Sequence, residues 1–414
     1  MDTRTPRVAF FTDSYYEANG VARTAQALEG YAEQHRYPML VVHGGPTTQL
    51  IETGSVIRLE LRRAAVSSFH LEHDLRYDLA LWRHLRRVSA ILRRFEPDVV
   101  HVTGPSDIGQ IGALLARRLD LPVTGSWHTN VHEYAARRLM PYLQALHVPG
   151  RDRLGAWVER SALRAVLPFY RMADVILAPN AEWLTVAREQ LGTPAFLMAR
   201  GVDTELFTPA RRCRGDNVLR IGYVGRLSKE KSVRELARLE RSLVAAGAPR
   251  FEIRIVGDGA ERDWLSAHLS HGRLMGTLRG PALADAYAGF DLFAFPSVTE
   301  TFGQVLQEAL ASGVPVVAMA AGGPRYMLAD AGGAVLAATH DAWIQEAVSL
   351  ALDPARRRAL GTAARQTALS RSWSAVCDVV YQAYATAITH HQRRPRAAVA
   401  PDLAPGKTEE RVAS

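Results

Sequence analysis

The sequence predicts an α/β fold class with two doubly wound parallel-sheet domains facing each other across a cleft. Three observations carry this. The chain is 414 residues long, which at roughly 100–200 residues per domain gives two or three domains. Short, almost wholly apolar runs recur between helix-length stretches, as in strands buried on both faces of a parallel sheet. Finally, each half opens on an apolar strand, a polar turn and a helix.

Arg7-Val8-Ala9-Phe10-Phe11-Thr12 is the first such strand, followed by a turn ending Asn19-Gly20 and a helical pattern from Val21 to Gln34. Further strands are expected at Met39–Val42, Val99–Val102, Val123–Ser126 and Val175–Ala178. A helix is expected over Arg76–Phe95, with Leu81, Leu85, Val88, Leu92 and Phe95 on one stripe. The second half opens at Arg220–Arg226 and continues with a helix over Val233–Ala246. Strands are expected there at Phe251–Val256, Leu292–Phe295 and Val314–Ala318. The polar segment from Thr208-Pro209 to Asn217 marks the boundary. The domains are therefore expected at 1–208 and 209–374, with a helix over 375–390 returning to the first domain. A disordered tail is expected at 393–414, where Pro395, Pro401 and Pro405 fall in a stretch without apolar period.

With 48% hydrophobic and 22% charged residues, the composition excludes wholesale disorder, collagen and coiled coil. No run of about 18 apolar residues occurs, and the N-terminus shows no signal-peptide pattern. Cys213 and Cys377 stand far apart and read as free thiols, so a cytoplasmic location is expected. The net charge is +8, and only Lys229, Lys231 and Lys407 of the 50 basic residues are lysine. Genomic base composition is the blander reading of that bias. A basic chain also suits nucleic acid, anionic lipid or phosphorylated small molecules.

The most informative stretch is Phe293–Ala318: a strand, the loop Pro296–Gly303 bearing Glu300, a helix, then another strand. A loop that opens a helix beyond a strand end makes an anion site, because free N–H groups and the helix dipole point into the crevice. Glu300 and Glu308 lie eight apart, about 12 Å along a helix, which matches the span from a hexose to the ribose of a sugar nucleotide. A carboxylate suits both ends, since it accepts hydrogen bonds from vicinal hydroxyls. The blander alternative makes Glu300 a helix-capping acid and Glu308 part of a solvated face. Gly225–Lys231 follows another strand end, and there Arg226 as a planar fork and Lys231 as a mobile point charge suit a diphosphate. A plain surface loop is the alternative.

Gly20 at a helix start lets the backbone approach a phosphate closely, though a glycine in a turn is commonplace. Gly257-Asp258-Gly259 lacks the third glycine of a dinucleotide fingerprint and reads as a tight turn. His128 and Asn130 end a strand at the first crevice. His128 and His132 have the spacing of helical metal ligands but lack an adjacent Glu or Cys, so no metal site is assigned. There is no Asp-x-Asp pair, Walker loop, Gly-x-Ser-x-Gly elbow or zinc-finger spacing. On the helix at 76–95, Arg83, Arg86, Arg87 and Arg94 form a basic stripe that suits an anionic membrane surface. A solvated arginine face is compatible with it.

Taken together, these residues resemble the retaining glycosyltransferase family 4, with its two-Rossmann GT-B architecture. The resemblance rests on Asn19-Gly20-Val21-Ala22-Arg23-Thr24, His128-Thr129-Asn130, Arg200-Gly201-Val202-Asp203, Gly225-Arg226 with Lys231, and Glu300-Thr301-Phe302-Gly303 with Glu308. These segments occur in family order across residues 7–390. They look most like those of bacterial GDP-mannose-dependent α-mannosyltransferases and related glycolipid hexosyltransferases. The resemblance implies that Arg226 and Lys231 neutralise the leaving diphosphate. It also implies that Gly20 and, in a separate loop, Thr301, Phe302 and Gly303 bind the donor, the amides at Gly20, Phe302 and Gly303 holding phosphate or sugar. Glu300 would contact the donor hexose, Glu308 the ribose, and His128 the sugar from the opposite domain, with 1–208 the acceptor-side domain and 209–374 the nucleotide-sugar-binding one. Two departures stand out. Ser232 occupies a position where the family often has Gly or Asn, and Gly322-Gly323-Pro324-Arg325-Tyr326 lacks the family's usual acid.

The expected function is hexose transfer, as mannose from GDP-mannose, to a lipid-linked or glycan acceptor, with no cofactor and no metal. The alternatives are a UDP-hexose donor on the same fold, or a nucleotide-sugar-binding protein without transferase activity. Nucleic acid is not an expected partner. A peripheral position on the inner face of the cell membrane is expected if the acceptor is a lipid.

Overall fold

The computed structural model describes residues 4–17, 20–64, 68–72, 75–127, 161, 164–213, 215–300 and 303–394. Ten strands form in the first part: β1 (Val8–Thr12), β2 (Met39–Gly45), β3 (Gln49–Thr53), β4 (Val56–Arg62), β5 (Ser68–Glu72), β6 (Leu75–Asp78), β7 (Val99–Val102), β8 (Val123–Ser126), β9 (Val175–Ala178) and β10 (Ala195–Leu197). Eight of them make one sheet in the order β10-β9-β8-β7-β1-β2-β4-β3, and β5 pairs only with β6. Every pairing in the large sheet is parallel except the edge pair β3–β4. The second sheet runs β13-β12-β11-β14-β15-β16 and is parallel throughout. Its strands are β11 (Leu219–Val224), β12 (Phe251–Val256), β13 (Gly272–Gly276), β14 (Leu292–Phe295), β15 (Val316–Met319) and β16 (Ala334–Ala337).

The central strands β1, β7, β8, β9, β14 and β15 are buried at every position, so neither face meets water. Helices cover both sides. α1 (Gly20–Gln34) follows β1. α2 (Leu85–Phe95) precedes β7, and α3 (Asp107–Arg118) follows it, with Ser106 accepting from the Gly109 N–H as N-cap. The helix expected over 76–95 fills only the second half of that range. Leu75–Asp78 is strand β6, and Leu81–His84 is a single 3₁₀ turn. The cause is Asp78, which is buried and accepts from the Ala64 and Ala80 N–H groups, fixing a turn where the apolar period alone suggests helix. The stripe itself faces inward as read: Leu81, Val88, Leu92 and Phe95 are buried in the core.

The chain crosses between the two sheets twice, side by side. Val202 donates to the Arg371 carbonyl at 3.1 Å, and the Trp373 N–H donates to the Val202 carbonyl at 3.2 Å. Gly201 is required at this crossing, because an added Cβ would meet the Trp373 ring at 2.5 Å and its Cα at 2.8 Å. A long helix over Trp373–Arg393, capped by Ser372, then lies back on the first sheet. Its Val376, Cys377, Val380, Ala383, Tyr384 and Ala387 pack with Ala25, Leu28, Tyr31 and Ala32 of α1. The helix therefore includes Arg393. Residues 395–414, most of the expected tail, lie outside the described residues. No helix among the described residues is long and apolar enough to cross a membrane.

Candidate functional site

In an open α/β sheet, ligands bind beyond the carboxyl ends of the strands, where the chain switches direction. In the second sheet that point lies between β11 and β14. Gly225–Lys231 leaves β11 and Pro296–Glu300 leaves β14, so topology brings the two predicted loops together. Lys231 Nζ lies 3.0 Å from Glu300 Oε2, with side-chain exposures of 18% and 22%. Thr299 Oγ1 donates to the Glu230 carbonyl at 2.9 Å, which ties the loops a second time.

The cation loop rests on the Gly257-Asp258-Gly259 turn. The Leu227 N–H donates to the Asp258 carbonyl at 2.9 Å, and the Gly225 N–H to Val256 at 3.0 Å. A Cβ on Gly257 would fall 1.9 Å from the Gly225 carbonyl oxygen, and Gly257 has φ +136, so glycine is needed on both counts. The turn read as local is thus the floor of the cation loop. Ser232 takes the left-handed conformation at φ 53, ψ 32. That explains why Gly or Asn suits this position, and serine holds it at some strain. Arg226 lies 73% exposed at the loop's rim, 3.6 Å from Glu230.

Glu300 is fixed at three atoms. Besides Lys231, its Oε1 accepts from the Gly303 N–H at 3.2 Å and its carbonyl accepts from Gly323 at 2.7 Å. Gly303 stands at φ +88, and the helix Gln304–Ala311 starts only after it. The Glu300–Glu308 segment is therefore not one continuous helix, and the 12 Å helical span does not apply. Residues Thr301 and Phe302 lie outside the described residues. Glu308 is not on a solvated face: it is 8% exposed on a helix buried from Leu306 to Ala311. Burial pushes its carboxyl up to about 7, while the Tyr287 hydroxyl beside it and the charge of Arg23 pull the other way. Arg23 belongs to α1, so a charge of the first unit acts on this carboxyl.

Gly20 begins α1. A Cβ there would lie 2.1 Å from Arg200 Cζ, so the clearance that glycine provides is occupied by the Arg200 guanidinium. Sequence reading gave Arg200 no role beyond its motif. At the first crevice, Trp127 directly follows β8 and stacks on Tyr170 and Trp183, each at 4.3 Å between centroids. His128 follows it and lies outside the described residues, as do Asn130 and His132. In the basic stripe, Arg83 donates to Asp78 at 3.1 Å and to backbone carbonyls, whereas Arg86, Arg87 and Arg94 are exposed. Arg83 is thus a structural residue of the 3₁₀ turn.

Two doubly wound sheets joined by a double crossover, with a cation–carboxylate site at the switch point of the second, define a glycosyltransferase of the GT-B fold. The comparisons agree. A profile described as "Glycosyltransferase Family 4" matches residues 18–206, and one described as "Glycosyl transferases group 1" matches 219–353. The chain is 29% identical over 405 residues to a GDP-mannose-dependent alpha-mannosyltransferase of Corynebacterium glutamicum, covering 95% of this chain and 92% of that one. It is 36% identical over 308 residues to a protein of the same name from Mycolicibacterium smegmatis, covering 70% and 74%. A glycosyltransferase structure from Rickettsia africae superposes with a TM-score of 0.64 at 13% identity, covering 93% of this chain and 99% of that one. The chain belongs to glycosyltransferase family 4, and its reaction is glycosyl transfer.

Proposed function

We propose that the enzyme moves mannose from GDP-mannose to a hydroxyl of a lipid-linked or glycan acceptor, with retention and without a metal. The observation that carries the reading is Lys231 held 3.0 Å from Glu300 at the second switch point, with Arg226 on the same loop. Breaking the glycosyl–phosphate bond places negative charge on the departing diphosphate. Fixed cations stabilise that charge most where water is scarce. The acceptor oxygen bonds to the anomeric carbon on the face the diphosphate leaves, and the acceptor proton passes to a leaving phosphate oxygen. Glu300 accepts from hexose hydroxyls, and Glu308 from the ribose. Mannose and guanosine are supported by the names of the relatives. His128 is proposed to contact the sugar from the first unit.

For a lipid acceptor, Arg86, Arg87 and Arg94 face outward while Val88, Leu92 and Phe95 stay in the core. Leu79 and Trp82 are exposed nearby, at 65% and 38%, as suits a peripheral contact with an anionic bilayer. Thermal shift with GDP, UDP and ADP, followed by mass spectrometry of the product, tests the donor. GDP should stabilise most, and product should form from GDP-mannose in excess EDTA. A larger shift with UDP and product only from UDP-hexose would replace the guanosine reading.

A further inference from the structure

The first sheet has its own switch point, and a carboxyl group occupies it. β1 and β7 are neighbours, yet the chain leaves them in opposite directions, toward β2 and toward β8. Asp13 directly follows β1 and Thr103 directly follows β7. Thr103 Oγ1 donates to Asp13 Oδ1 at 3.0 Å and accepts from the Asp13 N–H at 3.2 Å. The Thr103 N–H in turn donates to the Phe11 carbonyl at 3.1 Å. One carboxyl oxygen is thereby fixed across the gap between the strands. The other, Oδ2, has no hydrogen-bond partner among the described residues. It lies beside Gly104, where an added Cβ would come within 3.6 Å of it. Arg63, the cation whose field reaches Asp13, is already 3.3 Å from Asp107. One carboxyl oxygen is thus held by the fold, while the other stands open at the switch point, placed to accept from a ligand.

We propose that Asp13 binds the acceptor, its Oδ2 accepting a hydrogen bond from a hydroxyl of a neutral sugar or polyol ring. This rests on the glycosyl-transfer reading and assigns the acceptor side of that same cleft. The two switch points then have complementary chemistry. A cation meets the charged donor at Lys231, and an anion meets uncharged hydroxyls at Asp13. A phosphate is disfavoured at this position by like charge. Burial also raises the Asp13 carboxyl above its ordinary value, which makes it a stronger acceptor toward a hydroxyl donor.

The test compares the full chain with Asp13→Asn, which keeps the size and the Oδ1 acceptor for Thr103. Octyl α-mannoside, octyl β-glucoside and a glucosyl diacylglycerol serve as acceptor probes, and GDP affinity is measured in parallel. The acceptor KM of the best probe should rise tenfold or more, the scale of a hydrogen bond to a charged group. Donor KM and GDP affinity should stay within twofold. An unchanged acceptor KM, or equal losses for donor and acceptor, would overturn the proposal. So would wild-type enzyme that cleaves the donor but glycosylates none of the three probes. Wild-type enzyme that neither binds nor cleaves any nucleotide-sugar would instead refute the underlying reading. If Asp13→Asn does not fold, Gly104→Ala reports instead, because its methyl meets only ordinary contacts yet narrows the space beside Oδ2. The same selective rise in acceptor KM is expected.

Discussion

Lys231 and Glu300, 69 positions apart, meet at 3.0 Å where β11 and β14 part. Two loops that are unremarkable alone become one site because the strand order places them side by side. The pair is partly exposed, so it contributes little to folding. Glu300→Gln should lower turnover about 100-fold or more, the scale of losing an electrostatic group at a reacting centre. The unfolding free energy, from urea titration, should change by no more than about 1 kcal/mol.

Glu308 gives a pH signature with a definite sign. Its folded value near 7 lies above the ordinary 4.5, so the folded state holds the proton more tightly than the unfolded chain. Stability therefore falls as pH rises from about 4.5 through 7. Glu308→Gln should be more stable than wild type at pH 8.5 by about 2–3 kcal/mol, a gain that shrinks toward pH 4.5. Ribose hydroxyls need the ionised carboxylate as acceptor. Calorimetry with GDP should show wild-type affinity about tenfold higher at pH 8 than at pH 6, following the ionised fraction. The Gln variant should lose that dependence on Glu308.

Gly322 supports Glu300 from below. It stands at φ +57, and a Cβ would lie 2.4 Å from the Glu300 carbonyl oxygen. Gly322→Ala should displace the Glu300 loop, costing about 1–3 kcal/mol of stability through strain. Turnover should fall by a larger factor than that loss explains, read from kcat at a temperature where the variant stays folded.

The central strands and both anion-type loops were legible because full burial leaves an unbroken apolar run between turns. The edges were not. β3 shows Gln49, Leu50, Glu52 and Thr53 to solvent, so no apolar run marks it, and its antiparallel pairing with β4 departs from the expected parallel pattern. The misread start of α2 turned on one buried carboxylate, Asp78, which joins the Ala64 N–H, 14 positions back, to the Ala80 N–H. By spacing alone Glu308 fits a solvated face better than a buried one, because its burial depends on helix packing. Asp13 carried only the faint signal of an acid placed directly after an apolar strand. Arg200 carried only its place in the Arg200–Asp203 motif, since its proximity to Gly20 depends on the chain's crossing between the sheets.

The basic surface of α2 makes a separable prediction. Replacing Arg86, Arg87 and Arg94 with Ser should weaken binding to vesicles of 30% phosphatidylglycerol by tenfold or more at low salt, at about 1 kcal/mol per residue near an anionic surface. Arg83 is left in place because it holds the turn through Asp78. Vesicle binding equal to wild type in a flotation assay would remove this face from membrane contact.

The most direct measurement of the account is the turnover of Lys231→Ala with its preferred nucleotide-sugar, set beside its melting temperature. A fixed cation that absorbs the diphosphate's developing charge predicts a kcat loss of about 100-fold or more. The same variant should melt within a few degrees of wild type. Turnover within a few-fold of wild type, or activity lost only in step with unfolding, would contradict it.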